Sequence, residues 1–500
     1  MDMFYNMTFK RKFAVNFFKD LKFEIAKMSF SKDWVNLKTG DPYPKLFEKG
    51  KVTEKIKNGC FSVCGEENSE VKRLIGQHFP YGTYEVKIND LSDGAAVGVS
   101  IGFFNSKDFL DIYIKRESKK VSAFFDLKDG ETSVNLKKYE FRKNMAFMVT
   151  CHHGKCFDLY LKYENHIEKI DEIIIDEYEK TINEKIFKNM TAAVCAKFAA
   201  GGKAVIEEVE LYADCGISQA DIKPVRYEDG SAVMQNGRMF LTVTSRFESQ
   251  MYQSVISFNP SGCGFKMEGA VLFDTGDGDW CGDVASSLIY DRCDKSWKIW
   301  MCSFSHGHIL GYAQFKNDVR FGINVLDVTL METNKNSADT DFFAKPGDED
   351  PDFYYDENEN KWYMSICRID KNTNAYSYFL FKSDNAFKGY KFVSKTNADA
   401  VTGGMFTKID NKRYFVCGAN FDKRAQYNIY ELPDFSNCRH IKCDFDDGGF
   451  RGWGSVISYM SGSREKYIWL TFDRHNASAY NWSYGTIYFY EADITKKIGD

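Results

Sequence analysis

GDEDPDFYYDENENKWYMSICRID, residues 347–370, crowds Asp348, Glu349, Asp350 and Asp352 into five positions at the entrance of an alternating segment. Like charges repel, so a chain that concentrates them at a strand entrance must hold them or use them. After the acids, FYYD alternates into a polar ENEN turn, and KWYMSICRID alternates out of it, which predicts a two-stranded hairpin. The same design of polar entry, strand, turn and second strand occurs in QADIKPVRYEDGSAVMQNGRMFLTVTSR (219–246) and GDVASSLIYDRCDKSWKIWMCSFSHGH (282–308). It returns in TGGMFTKIDNKRYFVCGANF (402–421) and RGWGSVISYMSGSREKYIWLTFDRH (451–475). The starts near Asp221, Asp283, Asp350, Gly403 and Gly452 lie roughly 50 to 67 residues apart, a spacing typical of propeller blades. Residues 218–500 are therefore expected to form a five-bladed β-propeller. Its innermost strands line one channel, so Asp221, Asp283 and Asp350, at matching starts of three blades, are expected to converge on one mouth.

Upstream, segments such as GTYEVKIND, FLDIYIKRE, VSAFFDL, CFDLYLKYE and AVIEEVELYAD alternate with period 2 between Asp, Gly, Asn and Lys turns. They predict an antiparallel β-sandwich over residues 30–217, interrupted by YENHIEKIDEIIIDEYEKTINEKIF, a helix or a long charged insertion. The sandwich resembles, in architecture, the concanavalin-like and laminin-G-like modules attached to many carbohydrate enzymes. In residues 1–29, Phe13, Phe17, Leu21 and Ile25 recur every fourth residue, which predicts a short amphipathic helix. The fold class is thus all-β, a sandwich followed by a propeller.

The 500 residues, 44% hydrophobic and 16% aromatic, suffice for large cores. A formal charge of -5 with acids and bases interspersed offers no basic face for nucleic acid and no polybasic membrane anchor. No run approaches the length of a membrane span, and the N-terminus lacks the small-residue cleavage site of a secretion signal. Fourteen Cys without framework spacing read as reduced, buried thiols. A cytoplasmic protein with a small polar ligand is expected. CHHGKC (151–156) has metal-ligating residue types, but Gly154-Lys155 between two alternating strands reads as a hairpin that scatters those side chains over opposite faces.

The C-terminal part, with Asp221 in QADIKP, Asp283 in CGDVASS and Asp350 in DEDPD, resembles the five-bladed propeller glycoside hydrolases, a group that includes arabinanases, β-xylosidases and invertases. The resemblance implies an oligosaccharide substrate, no cofactor, and carboxylates in complementary roles. One carboxyl group protonates the leaving oxygen, and another activates water or attacks the anomeric carbon. Asp221 is then the base or nucleophile, Asp350 the transition-state stabiliser or base, and Asp283 the residue that tunes a neighbour's pKa or binds sugar. The chain departs from the group in the fourth blade. There the resemblance calls for Glu ahead of Gly, and ADAVTGGMF offers Thr402-Gly403-Gly404. Glu349 is the leading replacement as general acid, with Asp399 and Asp473 as alternatives. Arg246, Arg368 and Arg451 are either structural ion pairs beside the acids or ligand-binding residues, able to hold a carboxylated sugar or phosphate bidentately, and His306, His308 and His475 are expected to hydrogen-bond substrate hydroxyls. The three His residues also permit an axial metal, a weaker reading because HGH splits its imidazoles between strand faces. Trp280, Trp453 and Trp482 fall near channel-end loops and are candidate sugar platforms. A non-catalytic carbohydrate-binding propeller and a phosphorolytic relative are the alternative functions.

Overall fold

The computed structural model describes residues 4–15, 17, 19, 21–30, 43–103, 109–126, 137–154, 156–164, 166–174, 184–261, 263–280, 282–333, 341–397, 401–419, 426–444, 454–473 and 486–493. They form two compact units, Phe23–Ala213 and a second made of Met1–Lys22 with Asp214–Asp500. Nearly all the regular structure is β. The longest α-helix among the described residues is one turn, Glu184–Phe187, and none is long and apolar enough to cross a membrane.

The unit Phe23–Ala213 contains two antiparallel sheets, one of seven strands and one of eight. Met145–His152 and Cys156–Tyr163 pair as the hairpin expected at CHHGKC, with His152 opposite Cys156. The His152 ring is hydrogen-bonded to buried Asp158 at 2.8 Å, so it serves the interior of the sheet. Of the charged stretch that interrupts the pattern, His166–Ile174 is a strand and Glu184–Phe187 the helical turn.

The other unit is a five-bladed propeller. Its innermost strands are Ser218–Pro224, Asp283–Asp291, Glu349–Asp356, Val401–Ile409 and Gly454–Ser461. Each touches the next, and the fifth touches the first, which closes the ring. Three further strands extend blades three and four outward in chain order. Aromatic side chains fill the wedges between blades. Trp300 of blade two stacks on Phe353 of blade three at 4.0 Å between ring centroids. Tyr378 of blade three meets Phe415 of blade four at 4.7 Å. Such pairs add about 0.5–1.5 kcal/mol each beyond their area burial.

The N-terminal segment departs from the helical expectation. Thr8–Val15 is a strand, antiparallel to Thr486–Asp493, and it supplies the fourth strand of blade five. Lys22–Ser29 is also a strand. The physical reason lies in the spacing, because four residues are close to one helical turn but are also two β repeats, so Phe13 and Phe17 satisfy both periods. Phe13 stacks on Phe489 at 4.4 Å, and Phe17 packs against Phe265 at 4.9 Å. The cysteines also differ in part from expectation. Cys302, Cys367 and Cys417 are free and buried, whereas Cys64, Cys293 and Cys438 are exposed.

Candidate active site at the propeller mouth

The site is built by an irregularity shared by four innermost strands. In each, the register to the second strand shifts across two residues: between Ala220 and Lys223, Val284 and Ser287, Glu349 and Asp352, and Thr402 and Met405. The first residue inside each shift has positive φ: Asp221 at 52°, Ala285 at 56°, Asp350 at 50° and Gly403 at 61°. Left-handed backbone is uncommon for residues with a Cβ, and bulges of this kind re-aim side chains beside functional sites. Asp221 and Asp350 therefore occupy equivalent, strained positions on blades one and three.

This phase corrects the sequence alignment. The residue of blade two equivalent to Asp221 and Asp350 is Ala285, and Asp283 lies two positions earlier, matching Asp348 of blade three. Asp283 still belongs to the mouth. It accepts a hydrogen bond from Ser305 Oγ at 3.0 Å, and burial holds its carboxyl at about 6 against the hydrogen bonds of Ser303 and Ser305.

Asp221 is buried, and its carboxyl is pushed up to about 6, first by burial and then by the negative charge of Asp350. Arg246, Thr244 and Lys223 oppose the shift. Asp350 is held from blade four, where Thr402 Oγ1 and the Gly403 amide both donate to its Oδ2 at 3.1 Å. The glycines that replace the expected acid thus support a carboxylate on the neighbouring blade. Gly404 has no room for a side chain either, since a Cβ there would lie 2.3 Å from the Phe415 ring.

Glu349 precedes the third bulge. Its Oε1 is hydrogen-bonded to His308 Nδ1 at 2.7 Å and accepts from the Tyr376 hydroxyl at 3.3 Å. Burial, followed by the charge of Asp350, raises its carboxyl above the ordinary value while the His308 contact opposes. The buried Cys302 thiol registers the whole group. After burial, the charges that push it up belong to Glu349, Asp350, Asp283 and Asp221, so all four carboxylates surround one region.

His306 joins the Asp283 side, with Nδ1 at 2.8 Å from Ser303 Oγ and 3.0 Å from Ser305 Oγ. The Trp280 indole donates to Asp274 Oδ2 at 3.2 Å within the loop leading to blade two. Arg246 ends the second strand of blade one, close enough to act on Asp221. Arg368 is a correction: its guanidinium donates to both oxygens of Asp348, at 2.7 and 2.8 Å, and both side chains are buried. It braces the loop entering blade three instead of offering itself to a ligand. Asp352 is likewise structural, bound to Arg226, to Ser287 Oγ at 2.8 Å and to the Phe406 amide at 2.7 Å. It joins the first four blades along the axis. Asp399, Arg451, Trp453, His475 and Trp482 lie outside the described residues, as does the side chain of Asp473.

Sequence reasoning missed Lys223, Thr402 and Tyr376. Thr402 was in view beside the glycines, but only the bulge shows that it turns toward Asp350. Tyr376 lies on the third strand of blade three and carries no local signal.

No known family matches this sequence, and no curated protein matches it. Among solved structures, the chain resembles an exo-β-1,3-galactanase from Clostridium thermocellum at 12% identity and TM-score 0.39, over 55% of this chain and 63% of that one. It resembles a thermostable family-43 glycoside hydrolase at 13% identity and TM-score 0.36, over 53% and 88% of the two chains. Bacillus subtilis levansucrase stands at 11% identity and TM-score 0.36, over 56% and 86%.

Proposed function

We propose that the propeller mouth hydrolyses a glycosidic bond in a small oligosaccharide. The observation that carries this reading is the pair Asp221 and Asp350, set on equivalent left-handed bulges and acting on each other electrically. Glycoside cleavage needs carboxyl groups held in different protonation states. Asp221, ionised above about pH 6, serves as base or nucleophile. Asp350, anchored by Thr402 and Gly403, faces the positive charge that develops on the sugar. Glu349 is the general acid, its proton held more tightly than on an ordinary carboxyl by burial and by the charge of Asp350. Asp283, Arg246, Trp280, His306 and His308 complete the sugar-binding rim. The unit Phe23–Ala213 is read as a concanavalin-like sandwich, on the basis of its two antiparallel sheets. A cytoplasmic location agrees with free buried thiols such as Cys302 and Cys367, which a reducing compartment preserves.

A second reading, a carbohydrate-binding propeller without turnover, is favoured by one observation: the fourth bulge carries Gly403 and no acid. A screen of aryl glycosides and plant-derived oligosaccharides, with and without phosphate, separates the possibilities. Turnover in water supports hydrolysis, and saturable binding without turnover supports the second reading. Turnover that requires phosphate would replace hydrolysis by phosphorolysis.

A further inference from the structure

Lys223 lies on the innermost strand of blade one, two residues beyond Asp221, and is 3% exposed. Its Nζ donates to the carbonyl of Pro351 at 2.7 Å and to that of Ala285 at 3.4 Å. No carboxylate makes ion-pair contact with it among the described residues; the acceptors are main-chain oxygens. These two carbonyls have particular addresses. Pro351 is the second bulge residue of blade three, joined directly to Asp350, and Ala285 is the left-handed bulge residue of blade two. A buried ammonium is costly unless opposite charge compensates it. The nearby source is the carboxylate group of the mouth, and Lys223 acts on Asp221 as a favourable positive charge.

We propose that Lys223 is a positioning residue for the mouth: its ammonium ties the bulges of blades one, two and three together and supplies the buried positive charge against which Asp221 and Asp350 stand side by side. The inference deepens the reading of that pair as the working carboxylates. Two demands meet in one side chain. Hydrogen bonds to Pro351 and Ala285 fix the spacing of strands that carry the acids, and carboxylate spacing governs the chemistry of glycoside cleavage. Its charge offsets the repulsion that two neighbouring carboxylates would otherwise carry. The charged and titratable groups around Asp221 are Asp350 and Glu349 with His308 on one side, Asp283 with His306 on another, Arg246 on its own blade and the Cys302 thiol.

The test is the melting temperature of the full chain between about pH 4.5 and 8, for wild type, Lys223→Met, Asp221→Asn and the double variant. Met keeps the length of the side chain and removes the charge. The expected result is a loss in Lys223→Met that grows as pH rises, because Asp221, whose carboxyl is held at about 6, then ionises without its cation. Adding Asp221→Asn is expected to return at least half of that loss at neutral pH. A loss equal at both ends of the range, or one that simply adds to that of Asp221→Asn, would overturn the proposal. Should Lys223→Met fail to fold, the double variant decides, since it must fold if charge balance is the role. These curves need no substrate. Coupling without turnover on any glycoside would defeat the hydrolase reading and leave Lys223 in its role, whereas turnover without coupling would do the reverse.

Discussion

Asp221 shows at a single residue what burying a carboxyl costs. An unfolded Asp titrates near 3.9, whereas the folded carboxyl is held at about 6. Below about pH 4 both states are protonated, and the burial carries no ionisation cost. Between pH 4 and 6 the unfolded chain loses its proton first, so folded stability falls as pH rises. Above pH 6 the full penalty remains, on the order of 3 kcal/mol for a shift of this size. Asp221→Asn is therefore expected to melt higher than wild type at pH 7 and about equal to it at pH 4, as followed by calorimetry. Glu349 gives a second expectation. If it donates the proton, Glu349→Gln should nearly abolish cleavage of substrates with poor leaving groups and spare activated aryl glycosides, which depart without protonation. Equal losses on both substrate types would move the role elsewhere, and a leaving-group-dependent loss in Asp473→Asn would point to blade five.

At the scale of the element, the bulge explains what the sequence could and could not disclose. Alternation and turn chemistry made the hairpin at 349–370 legible, and its strands pair as expected, Phe353 with Met364 and Asp356 with Lys361. Extending that register backward without interruption places Glu349 opposite Arg368. The bulge at Asp350 inserts one extra residue, so Glu349 pairs with Cys367 and Asp348 reaches the arginine instead. A one-residue slip exchanges which acid the arginine neutralises. The same invisible irregularity made Asp283 look equivalent to Asp221. Arg368→Met is expected to cost about 3–5 kcal/mol, because it strands Asp348 as an uncompensated buried charge. Urea unfolding measures the loss, and replacing Asp348 by Asn in the same chain should recover part of it.

Across the whole propeller, blade five is completed by a strand from the far end of the chain. Phe4, Tyr5, Met7 and Phe9 are buried in one cluster with Met405, Tyr414, Val456, Trp469 and Tyr490. Fully burying each such side chain contributes roughly 1.5–3 kcal/mol, so the four together rival the 5–15 kcal/mol that typically holds a domain folded. Removal of residues 1–15 is expected to unfold blade five at 37 °C, with loss of the cooperative melting transition. Phe9→Ala is expected to cost about 3–5 kcal/mol. The five-fold repeat was legible because each blade repeats its own hairpin pattern. The closing strand was not, because its fourfold apolar spacing fits a helix as well, and its partner Thr486–Asp493 lies more than four hundred residues away. The central claim, that bulge-borne carboxylates at the mouth cleave a glycosidic bond, is met most directly by the turnover of Asp221→Asn against wild type on one oligosaccharide. The expected result is a correctly folded variant slowed by roughly 10²–10⁴-fold or more, since an amide can serve as neither base nor nucleophile; undiminished turnover in that variant would contradict it.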